Sequence, residues 1–438
     1  MQLEGKSLGS DFARFVTPTV LSLTVFSLYS LIDGVFVARG VSETAMAAVN
    51  LSIPFINFLF SVAVLFAVGT STLIAIQLGR GNRNEASRLF SQNLAVVAVL
   101  GVSISILALL FTEPLAHLLG AEEHTLGYVM TYLRGVAPFS ACFVVSYLME
   151  ILVKTDGNPR LAIITVTTGC TVHALMDYLF IFKLGTGIVG AAWATGGSQL
   201  LTCLIYFGHF LRGKTTFRLQ KFRFDLSLYR RLIPIGLSDG VTELCTGLMI
   251  FLFNRTILRY IGTDGLVSYT IIAYVNTLIV NGMLGVPQGM QPLVSYHYGK
   301  GEMDKCHRLL RYGLITVASL SAAVFLLLHL FAPQVVGVFL DRGSPLFAVS
   351  IADFRKYSFS FLLIGFNVLL GGFMTAVERP RAAITVSVGR GLVVQGASLL
   401  LLSTLFGGEG IWYATLLSES VMLCVSAGFL RRYRRNNG

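Results

Sequence analysis

The chain has 438 residues, 54% of them hydrophobic and only 13% charged, with a formal net charge of +11 and a mean hydropathy of +0.73. Soluble globular domains carry about 25% charged residues, so this composition excludes a water-soluble fold, and apolar stretches spread from Phe12 to Leu430 exclude a single anchor followed by a polar domain. At about 20 helical residues per crossing of a hydrocarbon core about 30 Å thick, the length admits about twelve spans.

The first dozen residues, MQLEGKSLGSDF, are polar. The apolar segment behind them is too long for the core of a cleavable signal peptide, so an uncleaved signal anchor is expected. Backbone groups in lipid must be paired within their own segment. Each long apolar run therefore predicts a helix: residues 13–38, 45–78, 90–112, 126–153, 161–183, 190–211, 232–258, 265–298, 313–332, 352–377, 382–404 and 410–430. Twelve spans put both termini on one side. That side collects 24 Lys and Arg against seven on the other, which predicts cytoplasmic termini. The same asymmetry accounts for the positive charge without nucleic acid. Six cysteines, at 142, 170, 203, 245, 306 and 424, form no CxxC pair and suggest neither a metal site nor a disulfide framework.

The halves of the chain repeat. A shift of 220 residues brings Gly299-Lys300-Gly301 onto Gly79-Arg80-Gly81, Arg308-Leu309 onto Arg88-Leu89, Gly289 onto Gly69, and Gly410 with Ala414-Thr415 onto Gly190 with Ala194-Thr195; a shift of 221 pairs Pro380 with Pro159 and Arg355 with Arg134. Because six spans separate equivalent positions, the repeat is parallel. The expectation is an all-α polytopic membrane protein of two pseudo-symmetric six-helix lobes, residues 1–211 and 232–438. Residues 212–231, RGKTTFRLQKFRFDLSLYRR, form a basic cytoplasmic linker, solvated or facing lipid headgroups. Twin lobes suggest a transporter by analogy.

Ionisable groups at membrane depth are functional candidates by default. Here they are Asp33, Glu150, His173, Asp177, Asp239, Glu243, Arg390 and Glu419. Asp33, Asp177 and the hydroxyl of Thr195 fall roughly 7–9 Å below the outer boundary at 1.5 Å per residue. His173 and Asp177, four apart, share a helix face. Such a cluster can take a proton, since a low-dielectric site and a second nearby carboxylate both favour the neutral carboxyl. It can also take sodium, although an imidazole suits sodium poorly; a simpler alternative is that His173 only holds a buried helix pair together. The cluster is not duplicated, because Asp177 meets Ala397 and His173 meets Val393. Glu243, near the midplane, is placed to attract a cationic substrate or to pair with a neighbour such as Arg390. Glu150 and Glu419 are assigned structural or gating roles.

Several stretches resemble the multidrug and toxic compound extrusion (MATE) family, in its prokaryotic DinF/MepA-like branch. They are Tyr29, Asp33, Gly34, Val37, Gly40, Ala47-Ala48-Val49 and Pro54; GTSTLIAIQLGRGNRNEASR at the end of span 2; DGNPRLA from Asp156; DYLFIF from Asp177; and GAAWAT from Gly190. The resemblance implies a V-shaped pair of six-helix bundles embedded in the lipid bilayer of a prokaryotic plasma (cytoplasmic or inner) membrane, monomeric and without cofactor, that exports organic, often cationic, drugs in exchange for protons or sodium ions. It maps the family's cation site onto Asp33, Asp177 and Thr195, with His173 where an asparagine is usual. It makes Pro18 the point where span 1 bends. It matches Glu243 to an acidic residue of span 7, but offers Asn367 where span 10 would carry an aspartate; with Arg390, these are the substrate-cavity candidates. Two alternatives are a flippase for a lipid-linked precursor, for which only Arg390 and Arg134 offer basic groups, and an intramembrane enzyme on His173 and Asp177, for which no HExxH, GxSxG or CxxC is present.

Overall fold

The computed structural model describes residues 7–40, 43–212 and 215–437, with side chains described except at 30–40, 43–44, 46–47 and 436–437. Every regular element among the described residues is helical. Among the described residues, twelve helical segments are long and apolar enough to cross a membrane: Leu8–Tyr29, Ala48–Gly79, Arg83–Leu110, Glu123–Asp156, Pro159–Lys183, Ile188–Leu211, Leu226–Tyr260, Thr263–Gly299, Met303–Leu330, Phe347–Ala376, Pro380–Phe406 and Ala414–Arg435. They are numbered spans 1 to 12, and each overlaps one predicted run. The chain is a multi-pass membrane protein. Boundaries differ most where a helix continues past its apolar run. Span 3 begins at Arg83 rather than 90 because its polar first turns are held by Arg88, whose guanidinium bonds Glu85 at 2.7 and 2.8 Å. Span 4 tightens to a 3₁₀ turn at Ala137–Phe139, where Pro138 removes a backbone donor.

The 220-residue repeat is written into the backbone. Gly81 and Gly301 take φ of 80° and 77°, and Gly187 and Gly407 take 60° and 61°. At the 221 shift Gly157, at φ 100°, meets Glu378, the one described non-glycine residue with positive φ, at 52°. Short helices Thr112–Leu118 and Ala332–Phe339 follow spans 3 and 9 at equivalent places. The turn after span 2 is closed by Asn82 donating to Gln77. Its counterpart after span 8 uses Glu302 and His297 at the same two positions.

The compact units do not follow the expected boundaries of 211 and 232. One comprises Leu21–Glu243; the other joins Ser7–Val20 to Leu244–Gly438. Small residues cause the exchange. A Cβ on Gly289 of span 8 would lie 2.7 Å from the Cα of Val16, so the start of span 1 packs backbone-close on span 8. In the other unit a Cβ on Gly69 of span 2 would lie 2.7 Å from the carbonyl oxygen of Leu232, and Ser61 Oγ donates to the Gly240 carbonyl at 2.8 Å. The start of span 7 is thereby bound to span 2.

The described part of the linker is docked rather than simply solvated. Phe217 is fully buried, with its ring 5.2 Å from Phe90 and 5.7 Å from Phe210. Backbone N–H groups of Thr216, Arg218 and Gln220 donate to Asp156 Oδ1, Ser87 Oγ and Ser91 Oγ at 2.6, 3.0 and 2.9 Å. Gln92 donates to the Asp225 carbonyl at 2.8 Å. Linker backbone polar groups are thus satisfied by the ends of spans 3 and 4, while Arg218, Lys221, Arg223 and Arg230 remain exposed.

Candidate ion and substrate site

Span 5 starts with Pro159 at its first turn, a position that needs no N–H. It runs as α-helix to Asp177 and then widens to a π-helical stretch, Tyr178–Lys183, a feature frequent at functional sites. Asp177 is fully buried and His173, one turn earlier, is nearly so. His173 Nε2 lies 3.4 Å from Asp177 Oδ2 and 3.4 Å from Thr195 Oγ1. Nδ1 of the same ring meets the Tyr29 hydroxyl, with ring centroids 4.9 Å apart. Thr195 also donates to the Ala191 carbonyl at 3.0 Å, one turn back in span 6.

Spans 1, 5 and 6 therefore bring Tyr29, His173, Asp177 and Thr195 together. Both imidazole nitrogens are engaged, so the ring's tautomer follows from its partners. When Tyr29 donates to Nδ1, Nε2 carries the proton and points it at the carboxylate and the Thr195 oxygen. Protonation of Asp177 would remove that attraction. Asp33 stands four positions beyond Tyr29 in the helix Leu8–Gly40; its side chain lies outside the described residues. Tyr29 was visible in the sequence only as part of the family pattern, its signal being the four-residue spacing to Asp33. Pro18 sits inside that helix, which continues through it, and Thr19 Oγ1 donates to the Phe15 carbonyl at 2.8 Å.

Glu243 lies halfway along the 35-residue segment Leu226–Tyr260. Asp239, one turn before it, is half-buried like Glu243, and Ser238 Oγ donates to Asp239 at 3.3 Å. Two carboxyl groups thus share one face of span 7.

The ion-pair partner of Arg390 is Glu419, not Glu243. Arg390 sits in a second π-helical stretch, Gly389–Val393, and gives Nε and a terminal nitrogen to Glu419 Oε1 at 3.2 and 2.9 Å. Asn367 Nδ2 donates to Glu419 Oε2 at 2.7 Å and to the Glu419 carbonyl at 2.8 Å. Ser426 Oγ donates to Asn367 Oδ1 at 3.0 Å. The equivalent positions of the first half hold a neutral version, in which Ser146 Oγ donates to Gln199 at 2.8 Å. Glu150 pairs with the buried Lys154 at 2.8 Å. Among the described residues no three His, Cys, Asp or Glu side chains are grouped to hold a metal ion.

A family profile described as MatE matches residues 18–179 and 240–395. The multidrug export protein MepA of Staphylococcus saprophyticus is 24% identical over 438 residues, covering 98% of this chain and 94% of its own. MepA of Staphylococcus aureus is 25% identical over 432 residues, covering 96% and 92%. Among solved structures, the outward-facing conformation of a multidrug resistance MATE family transporter of the MOP superfamily superposes with a TM-score of 0.93 at 22% identity, covering 99% of this chain and 97% of that one. A MOP superfamily transporter from Pyrococcus furiosus, described as having a binding pocket of reverse polarity, gives 0.91 at 22% identity, with 99% and 97% covered.

Proposed function

The chain belongs to the MatE family, and from that premise we propose that it is a multidrug exporter, not an enzyme, which expels organic cations across the plasma membrane in exchange for protons. The observation that carries the choice of proton is the engagement of His173 by Asp177 on one side and Tyr29 on the other. An imidazole at the centre of the cluster replaces an oxygen that sodium would need and supplies a group that holds protons well. Asp33, from its place four residues beyond Tyr29, joins Asp177 as the second carboxyl of this site, and Thr195 orients the ring. A proton entering from outside neutralises the carboxyls and changes how spans 1, 5 and 6 pack, with Pro18 as the point of bending. The state so favoured binds substrate less tightly, and the proton and substrate compete through the linkage between the two sites.

Asp239 and Glu243 supply the negative pole that selects cations, and aromatic and sulfur side chains supply adaptable apolar contact. Arg390, one of the two basic groups a pyrophosphate-linked precursor would need, is already neutralised by Glu419 within hydrogen-bonding distance, which weighs against a flippase. The excess of basic residues on one side supports cytoplasmic termini, and the single chain carries every group invoked. The test is efflux of a fluorescent organic cation from proteoliposomes under an imposed pH gradient or an imposed sodium gradient. Efflux driven by the pH gradient alone is expected; efflux driven by sodium alone, or independent of both, overturns the coupling.

A further inference from the structure

The docked linker roofs one end of an apolar groove of about 460 Å³ in the first unit. Leu94, Ala95 and Ala98 of span 3 and Ala141 and Cys142 of span 4 form its walls, Phe207 of span 6 closes one side, and Leu219 and Phe222 of the linker cover its end. The groove exists because Ala95, Ala98, Ala141 and Cys142 are small. It stops where spans 3 and 4 touch, since a Cβ on Gly101 would lie 2.6 Å from the Cα of Ala141. Along span 3 it runs from Ser91 to Ala98, about 10 Å at 1.5 Å per residue, against a hydrocarbon leaflet roughly 15 Å thick. Large apolar side chains exposed beside it, Val99 and Val102 on span 3 and Leu200 and Leu204 on span 6, mark this flank as lipid-facing.

At the roofed end the chemistry changes. Lys221 and Arg223 flank Phe222 and are exposed, as is Arg218. The backbone that carries them is pinned by Ser87, Ser91 and Gln92, so the charges are held at the mouth of the groove rather than on a free loop. The neighbouring acid, Asp225, faces Arg88 at 3.6 Å. An apolar slot about two-thirds of a leaflet deep, with fixed cations at its water end, is complementary to the headgroup-proximal part of an acyl chain attached to an anionic headgroup. We infer that the linker and spans 3, 4 and 6 form a site for an anionic phospholipid, with one acyl chain in the groove and its phosphate against Lys221 and Arg223. The cytoplasmic leaflet supplies it, which rests on the topology proposed above.

Native mass spectrometry of the full chain, exchanged into phosphatidylglycerol or phosphatidylcholine with identical palmitoyl and oleoyl chains, tests this without substrate or ion gradient. A failure of antiport would leave its readouts unmoved. Wild type is expected to retain phosphatidylglycerol preferentially. Lys221→Gln with Arg223→Gln is expected to cut that preference by about thirty-fold, the product of two near-surface charges. Ala98→Leu, which fills the groove, is expected to reduce retention of both lipids. Equal retention of the two lipids by wild type, or an unchanged preference in the double variant, overturns the proposal. A second readout avoids substitution. Maleimide labelling of Cys142, in the groove, is expected to slow when phosphatidylglycerol is added, with labelling of the exposed Cys424 unaffected. Equal slowing at both thiols, or at neither, overturns it as well.

Discussion

The buried network of the second half makes a prediction about stability that separates a structural ion pair from a substrate ligand. The Glu419 side chain is 1% exposed and that of Arg390 13%. Glu419 accepts two bonds from Arg390 and one from Asn367. Glu419→Gln keeps the shape and the Asn367 contact but leaves a guanidinium uncompensated at membrane depth, and loss of one partner of such a pair costs about 3–5 kcal/mol. Arg390→Met costs less, because an unpaired carboxylate can take up a proton whereas a guanidinium cannot lose one. The double variant removes both charges and is expected to recover most of the loss, so the two single losses together exceed the double one and the coupling energy is at least about 3 kcal/mol. Reversible unfolding of the four proteins in mixed micelles measures it, with dye efflux recorded alongside. Additivity within about 0.5 kcal/mol would refute the pairing. A stable double variant that has lost efflux would refute its structural character and return Arg390 to the substrate path.

Three further outcomes are expected. His173→Asn restores an amide oxygen where the family usually has one and removes the imidazole; efflux should become sodium-responsive and less dependent on a pH gradient, as read in the same vesicles. Glu302, between spans 8 and 9, is raised by burial but lowered further by bonds from His297 and Lys305 and by the nearby Lys300, to about 2 from an ordinary 4.5. A carboxyl depressed on folding stabilises above its unfolded value and loses that contribution as pH falls from about 4.5 through about 2. The thermal-stability gap between wild type and Glu302→Gln should therefore be full at pH 7 and shrink below pH 4.5; a gap that grows on acidification would contradict the assignment. Phe217→Ala, which empties the ring's site between Phe90 and Phe210, should cost about 3–5 kcal/mol and increase protease cutting in the linker, whereas a freely solvated linker would show neither effect.

The number and order of spans were legible in the sequence because lipid forces each apolar run to satisfy its own backbone. The repeat was legible because both halves turn at the same places, with Gly81 and Gly301 both in left-handed conformation. Helix ends were harder to place. The polar start of span 3 is held by Glu85 and Arg88, which hydropathy reads as loop. The linker's charge hid Phe217, whose burial depends on two partners more than one hundred and on seven residues distant. Unit boundaries were missed because Gly285 and Gly289 look like ordinary small residues until Val16 and Val20 are seen against them. Within the site, four-residue spacing announced that His173 and Asp177 meet. It could not announce that Tyr29 meets the other ring nitrogen, or that Arg390 meets Glu419 on a different span, since those contacts exist only after folding.

In the proposed exchange, substrate and proton exclude one another through the Asp33, His173 and Asp177 cluster. Proton release on substrate binding tests it most directly, measured with a pH indicator on purified protein in weakly buffered detergent, for wild type and for Asp177→Asn and Asp33→Asn. Wild type is expected to release protons as an organic cation binds, both variants are expected still to bind the cation, and release should be lost or sharply reduced in each. Undiminished proton release in both variants, or binding by wild type that displaces sodium and no proton, would contradict it.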